Sequence, residues 1–167
     1  MKKIFNADNA KALSNAKIKA VISNGQIVKV TGITFNQSGS TSKDVIFNAN
    51  GAKIEGNVYA NADYLRLQNM TINGNFTVND DASNSLVLDT VTIKQSVIIE
   101  DGSSSAFKFI ATNSTIPQLY VKRDNTLVNT DQKITAIVIE GDADDVALNT
   151  RVGKVTIAAG MYPTITG

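Results

Sequence analysis

The chain has no cysteine and no histidine. The first absence excludes disulfides and thiolate metal sites, and it leaves the redox compartment open. The second removes the side chain most often used as general base and as zinc ligand. Tryptophan is missing as well, proline occurs twice, and aromatic residues are 6% of 167. A surplus of either charge is also lacking: 16 basic residues stand against 15 acidic ones. Without a basic block there is no electrostatic footprint for nucleic acid. No apolar run approaches the ~20 residues of a membrane-crossing helix, so insertion into a bilayer is not expected. Nothing in the chain calls for a cofactor.

What the chain does have is turn chemistry between short strands. Asparagine occurs 18 times beside 11 glycines, a mix that suits many tight turns joining β-branched segments. The length fits one domain with room for a core. From Leu65 to Ala106 one 21-residue unit appears twice, LRLQNMTINGNFTVNDDASNS and then LVLDTVTIKQSVIIEDGSSSA. Superposed, Leu65 falls on Leu86, Leu67 on Leu88, Ile72 on Ile93, Phe76 on Val97 and Val78 on Ile99. Within each unit Leu65-Arg66-Leu67 and Phe76-Thr77-Val78 alternate apolar and polar, the period of a strand. Strands this short cannot bury their apolar face alone. If the chain coils once per unit, each strand pairs in parallel with its copy at ~4.8 Å and the inward side chains stack into one core.

Further coils follow on either side. Val45 and Phe47 lead an earlier one, with Ile54 and Val58 behind them. Phe107 and Phe109 open a fourth, 21 residues on, so Leu65, Leu86 and Phe107 are expected in single file. Its later strand slips by one, Leu119 and Val121 taking the places of Val97 and Ile99, with Pro117 at the slip. Ile134, Ile137 and Ile139 carry the fifth coil; Val146, Leu148, Val152, Val155 and Ile157 carry the sixth. The expected fold class is all-β, a parallel β-helix of about six rungs. Residues 1–24 form an N-terminal cap, residues 25–160 the β-helix and residues 161–167 a tail. The cap consists of a short helix over residues 6–17, started by Asn6 or Asp8 with Ala10, Leu13 and Ala16 on one face, and then a first strand from Ile18 to Ile22.

The pattern resembles the right-handed parallel β-helix of the pectate-lyase-like superfold. The opening ALSNAKIKAVISNGQI is similar to the start of β-helix domains in bacterial cell-surface proteins, where a small amphipathic helix caps the barrel. The resemblance implies the right hand of the coil, which also agrees with the rule for parallel crossovers. Its motifs are patterns of residue type, so it speaks to fold far more than to function.

Three groups of residues are candidates for function. Enzymes of this superfold commonly act on polysaccharides, and aligned by 21 residues Arg66, Asp89 and Lys108 come onto one face as the weak catalytic candidates. Solvated side chains offsetting one another explain them equally well. Asp80, Asp81, Asp101 and Asp142 follow equivalent strands and make a ridge of turns whose carboxylates are candidate Ca²⁺ ligands; Lys122 and Arg123 in the intervening rung are expected to neutralise it, and the glycine-paired calcium nonapeptide is absent. Tyr59, Thr77, Ile98, Tyr120, Val138 and Thr156 are the outward positions of one sheet, one per rung, and should stack into a vertical stripe. Apolar content of that kind on an outer face marks a contact surface, with another copy of the chain the expected partner. Asn69 and Asn113 are placed inward at turns, with Asp89-Thr90 between them.

The expected function is a non-enzymatic extracellular structural or adhesive β-helix module that self-associates or binds a surface partner, on a cell surface or a virion. The alternatives are a polysaccharide lyase or hydrolase, and a glycan- or receptor-binding module of a phage tail. Carbohydrate is thus a possible ligand. Met1-Lys2-Lys3-Ile4-Phe5 opens like a signal peptide, but Asn6, Asp8 and Asn9 interrupt it, so a signal peptide is not read here.

Overall fold

The computed structural model describes residues 2–102 and 106–167. It is all-β, with parallel coils stacked into a β-solenoid of about six turns. One sheet, here sheet A, contains in spatial order β1 (Lys17–Ser23), β2 (Gln26–Phe35), β4 (Asn57–Ala60), β6 (Phe76–Val78), β8 (Ser96–Ile99), β10 (Gln118–Val121), β12 (Ile134–Ile139) and β14 (Val152–Ile157). The second, sheet B, contains β3 (Val45–Ile54), β5 (Leu65–Ile72), β7 (Ser85–Ile93), β9 (Phe107–Thr112), β11 (Thr126–Thr130), β13 (Asp145–Asn149) and β15 (Thr164–Thr166). From β2 onward the chain crosses from one sheet to the other and returns one step further along. Every pairing is therefore parallel except the hairpin of β1 with β2.

The core is built of files. In sheet A, Ile33, Val58, Phe76, Val97, Leu119, Ile137 and Val155 stand one above another, and the next inward file ends Val121, Ile139, Ile157. The one-residue slip read at Pro117 is there, with Leu119 on Val97 and Val121 on Ile99. Phe35 and Phe47 meet at 4.9 Å between ring centroids and tie the two sheets in the first coil. Each such fully buried side chain contributes ~1.5–3 kcal/mol relative to exposure, and no buried side-chain polar atom among the described residues lacks a partner.

Sheet B corrects one register. Leu65 lies on Leu86 as expected, but the residue above Leu86 is Phe109, not Phe107. The file runs Val45, Leu65, Leu86, Phe109, Val128, Leu148. Phe107 instead begins its own file with Thr126 and Val146. The step from Leu86 to Phe109 is 23 residues, two more than the step before it, because the turn ahead of β9 is longer.

The N-terminus corrects another. No helix is present among the described residues. Residues 8–15 are successive turns, with amide bonds from Ala10 to Ala7, Ser14 to Lys11 and Ala16 to Leu13, each three residues back. Asn9 explains the departure. Its side chain is buried, donates to the carbonyls of Ile4 and Asn48 at 2.8 Å each, and accepts from the Asn48 amide at 2.9 Å. A residue with weak helix preference is thereby committed to β3, and Asn15 leaves the segment with φ +58°. Ile4 and Ala12, rather than Ala10 and Ala16, enter the core. At the other end residues 164–166 form β15 on β13, so part of the tail belongs to the coil.

Candidate functional site

The coiling gives the molecule two outer walls, and all the candidate residues lie on them or on the turns between them. On sheet A, the outward file is Thr34, Tyr59, Thr77, Ile98, Tyr120, Val138, Thr156, each the register partner of the next. The six expected positions are thus one unbroken column. It is less open than a bare apolar stripe: Thr77 is 7% exposed, and Tyr59, Ile98, Tyr120 and Val138 are half-buried. The tyrosines lie along the sheet. Tyr59 Oη accepts from Asn57 Nδ2 at 3.2 Å and Tyr120 Oη from Gln118 Nε2 at 2.9 Å.

Polar rails flank the column, and the sequence reading did not single them out. On one side the Asn75 amide donates to Asn57 Oδ1 at 2.9 Å and the Ser96 amide to Asn75 Oδ1 at 3.1 Å. On the other side Asn61 Nδ2 donates to Asn36 Oδ1 at 3.0 Å and Asn79 Nδ2 to Asn61 Oδ1 at 2.5 Å. The same rail continues as charge: Lys122 Nζ is 3.0 Å from Glu100 and 3.8 Å from Glu140. The hydrogen bond from Glu100 raises the Lys122 pKa above its ordinary value. Burial opposes that, and the negative charges of Glu100 and Glu140 add to it. Like residues one rung apart, at ~4.8 Å, are what make these ladders possible. The signal was the 18- and 21-residue spacing of the asparagines themselves.

On sheet B the proposed group of Arg66, Asp89 and Lys108 does not assemble as a column. Arg66 stands on Val87 and then Ile110, since the longer turn moves Lys108 beside Ser85. Arg66 is held by Asp44, at 2.9 and 3.0 Å. Asp89 accepts from Gln68 at 2.8 Å and from Thr90 at 3.0 Å. Arg66 and Lys108 do line one shallow depression, with Tyr64, Asp44 and Thr41, beneath the loop of residues 36–44. That loop is fastened to the next coil: the Gly39 amide donates to Asp63 O at 2.8 Å and Ser38 Oγ accepts from the Asp63 amide at 3.0 Å. Gly39 packs so closely that a Cβ would come within 2.6 Å of the Lys43 and Tyr64 carbonyls.

The acidic turns are spread out. Asp80, Asp81, Asp101 and Asp142 are all exposed. Asp80 and Asp101 each accept from the next backbone amide, at 3.1 and 2.7 Å. Among the described residues no three carboxylates converge in a manner that could hold a metal ion. Of the two cations expected to neutralise this ridge, only Lys122 points outward. Arg123 is fully buried. It donates to the carbonyls of Glu100 at 3.1 Å, Asn79 at 2.9 Å and Ala82, and its guanidinium lies 4.8 Å over the Phe107 ring. Burial lowers its pKa from the usual value, while the fields of Asp101, Asp80 and Asp63 act the other way. Continuing the alternation of Leu119 and Val121 by one step places Arg123 inward, and that was the signal. Asn69 and Asn113 are exposed rather than inward; with Asn50 and Thr90 they take positive φ at a corner of the coil, a conformation that asparagine tolerates best among non-glycine residues.

Compared with protein-family models, curated proteins and solved structures, the chain gives no significant match.

Proposed function

We propose that the chain is a non-enzymatic structural or adhesive module, a right-handed parallel β-helix of the pectate-lyase-like kind, working outside the cell on a cell surface or a virion. The observation that carries this reading is the column from Thr34 to Thr156, continuous over seven strands and set flush between amide and charge rails. A flat, rigid wall with an apolar centre and polar margins has the anatomy of a protein contact surface, and a second copy of the chain is the favoured occupant. The candidate catalytic groups support the same reading, since Arg66 and Asp89 are each engaged within a ladder. The test is sedimentation of the wild-type chain and of Ile98→Lys over a range of concentrations. Association weakened at least roughly tenfold by the substitution supports the wall as interface; association that ignores it removes the wall from consideration.

A second reading, a polysaccharide-active or glycan-binding module, is favoured by the depression that brings Arg66 and Lys108 together. Incubation with acidic polysaccharides, with and without Ca²⁺, decides between them. Cleavage abolished by Arg66→Ala would replace the first reading, and retention without cleavage would place the chain among glycan binders.

A further inference from the structure

The large apolar side chains that stay exposed are segregated. Of nine, five lie on β1, β2 and β3, four lie on β14 or beyond it, and the described strands between carry none. The register explains the second group. Val155 and Ile157 continue the inward files of Ile137 and Ile139, yet they are 39% and 44% exposed because the sheet ends at β14. At the other end Ile18 and Ile22 extend the files of Ile33 and Ile27 and are 37% and 66% exposed. β1 and β14 are also the two outermost strands of sheet A, each with one edge facing no other strand. The molecule therefore has two poles, each with an open strand edge beside open apolar side chains.

The poles differ in charge. Residues 1–43 hold seven lysines and one aspartate, a surplus of six positive charges. Residues 124–167 hold six acidic and three basic residues, a surplus of three negative charges. Four of those acids, Glu140, Asp142, Asp144 and Asp145, lie in or beside one turn of the last coils.

We propose that copies of the chain stack end to end, the β14 edge of one against the β1 edge of the next, so that sheet A runs on through the contact. This rests on the reading of the chain as a self-associating module and names a surface for it. Open strand edges recruit further strands through main-chain hydrogen bonds. β1 runs antiparallel to the rest of sheet A, so between copies pointing the same way the new pair is antiparallel. Lys17 and Lys19 on β1 are the charges that keep one basic pole from another, while the acidic pole accepts them. Pairing of unlike ends does not close on itself, so it generates open chains of copies rather than dimers. On the sheet B side the Asn9 clip already occupies β3, which leaves sheet A as the route of continuity.

Two variants test this by light scattering and sedimentation. Val155→Lys with Ile157→Lys blocks the acidic pole, and Ile18→Lys with Ile22→Lys blocks the basic one; all four positions are at least a third exposed, and circular dichroism checks the fold. The wild-type mass is expected to grow with concentration beyond twice the chain mass of 17.8 kDa. Each variant alone is expected to stay at one chain mass. Mixed in equal amounts, they are expected to give a one-to-one dimer and nothing larger, because one free pole of each kind remains. A wild-type chain that stays monomeric would overturn both the stacking and lateral association. Growth that responds to Ile98→Lys but to neither pole variant would overturn the stacking alone. If a variant fails to fold, hydrogen exchange on the wild-type chain replaces it: β1 and β14 edge amides must slow as concentration rises, and unchanged rates overturn the proposal.

Discussion

Two kinds of turn join sheet A to sheet B, and they are sealed in opposite ways. After β4, β6 and β12 the buried turn residue is Ala62, Ala82 or Ala143, each 0% exposed. After β10 it is Arg123, also 0% exposed. The smallest apolar side chain and the longest cation do the same job because the backbones around them differ. Where successive coils keep step, turn carbonyls find amides on the neighbouring rung, and a methyl group fills what space is left. Ahead of β9 the chain carries two extra residues, and that regular exchange is interrupted. Arg123 reaches back over it to carbonyls in two earlier coils, at Glu100, Asn79 and Ala82. A guanidinium brings five donors in one plane, and the Phe107 ring beneath it offers a face for the charge. An irregular register is thus tolerated where one side chain resupplies the donors that the ladder has lost.

Removing that clamp should have the largest effect. Arg123→Ala leaves buried carbonyls unpaired and a cavity over Phe107, and is expected to cost ~3–5 kcal/mol in chemical denaturation. Arg123→Lys should recover less than half of it, since one ammonium cannot serve three carbonyls in a plane. Gly102→Ala, which brings a Cβ to 2.7 Å from the guanidinium, should fall between the two. A cost near that of a surface substitution for Arg123→Ala would mean that the two seals are equivalent and that the longer turn satisfies itself.

Asn9 is the second polar clamp, and it sharpens the comparison because it works at an end rather than within the stack. Asn9→Ala removes three hydrogen bonds to Ile4 and Asn48 and is expected to cost ~1–3 kcal/mol. The loss should be local: amide exchange at Asn48 speeds up strongly, while amides of β7 and β8 hold. Asn9→Asp keeps the acceptor for the Asn48 amide and discards both donors, so it should behave nearly as badly. Equal acceleration throughout the solenoid would show that the first coil unfolds with the rest.

Much of this was legible in residue types. The repeat from Leu65 to Ala106, the file of Leu65 on Leu86, the slip at Pro117 and the outward column from Tyr59 to Thr156 all follow from alternation plus spacing. The shift of Phe109 onto Leu86 was not, for a simple reason. Moving a strand by two residues leaves its inward and outward faces unchanged, and Phe107 and Phe109 are the same residue, so pattern alone cannot choose between them. The Arg66–Asp89–Lys108 grouping failed with that register. The N-terminal segment misled in another way. Its apolar spacing is helical, but Asn9 is held by a partner 39 residues away, and local pattern does not encode such a contact. Arg123 was readable from phase yet was taken as a surface charge because cations seldom lie inside.

The smallest effect belongs to Lys122, the immediate neighbour of Arg123, which makes it the cleanest control. One residue apart, two cations point to opposite sides of the same wall: one fully buried on carbonyls, the other half-exposed between Glu100 and Glu140. Lys122→Met should cost only ~0.5–1 kcal/mol at neutral pH, as partly exposed ion pairs do. Because its folded pKa is raised, this contribution is fully present below the unfolded lysine value of ~10.4 and is lost as pH rises through the folded one. Wild type and Lys122→Met should therefore differ in stability at pH 8 and converge in strong alkali. Arg123→Ala should keep its deficit over the same range, since a guanidinium does not titrate there. A Lys122 deficit that survives deprotonation would reassign its role from charge to the packing of its methylene stem against the rail.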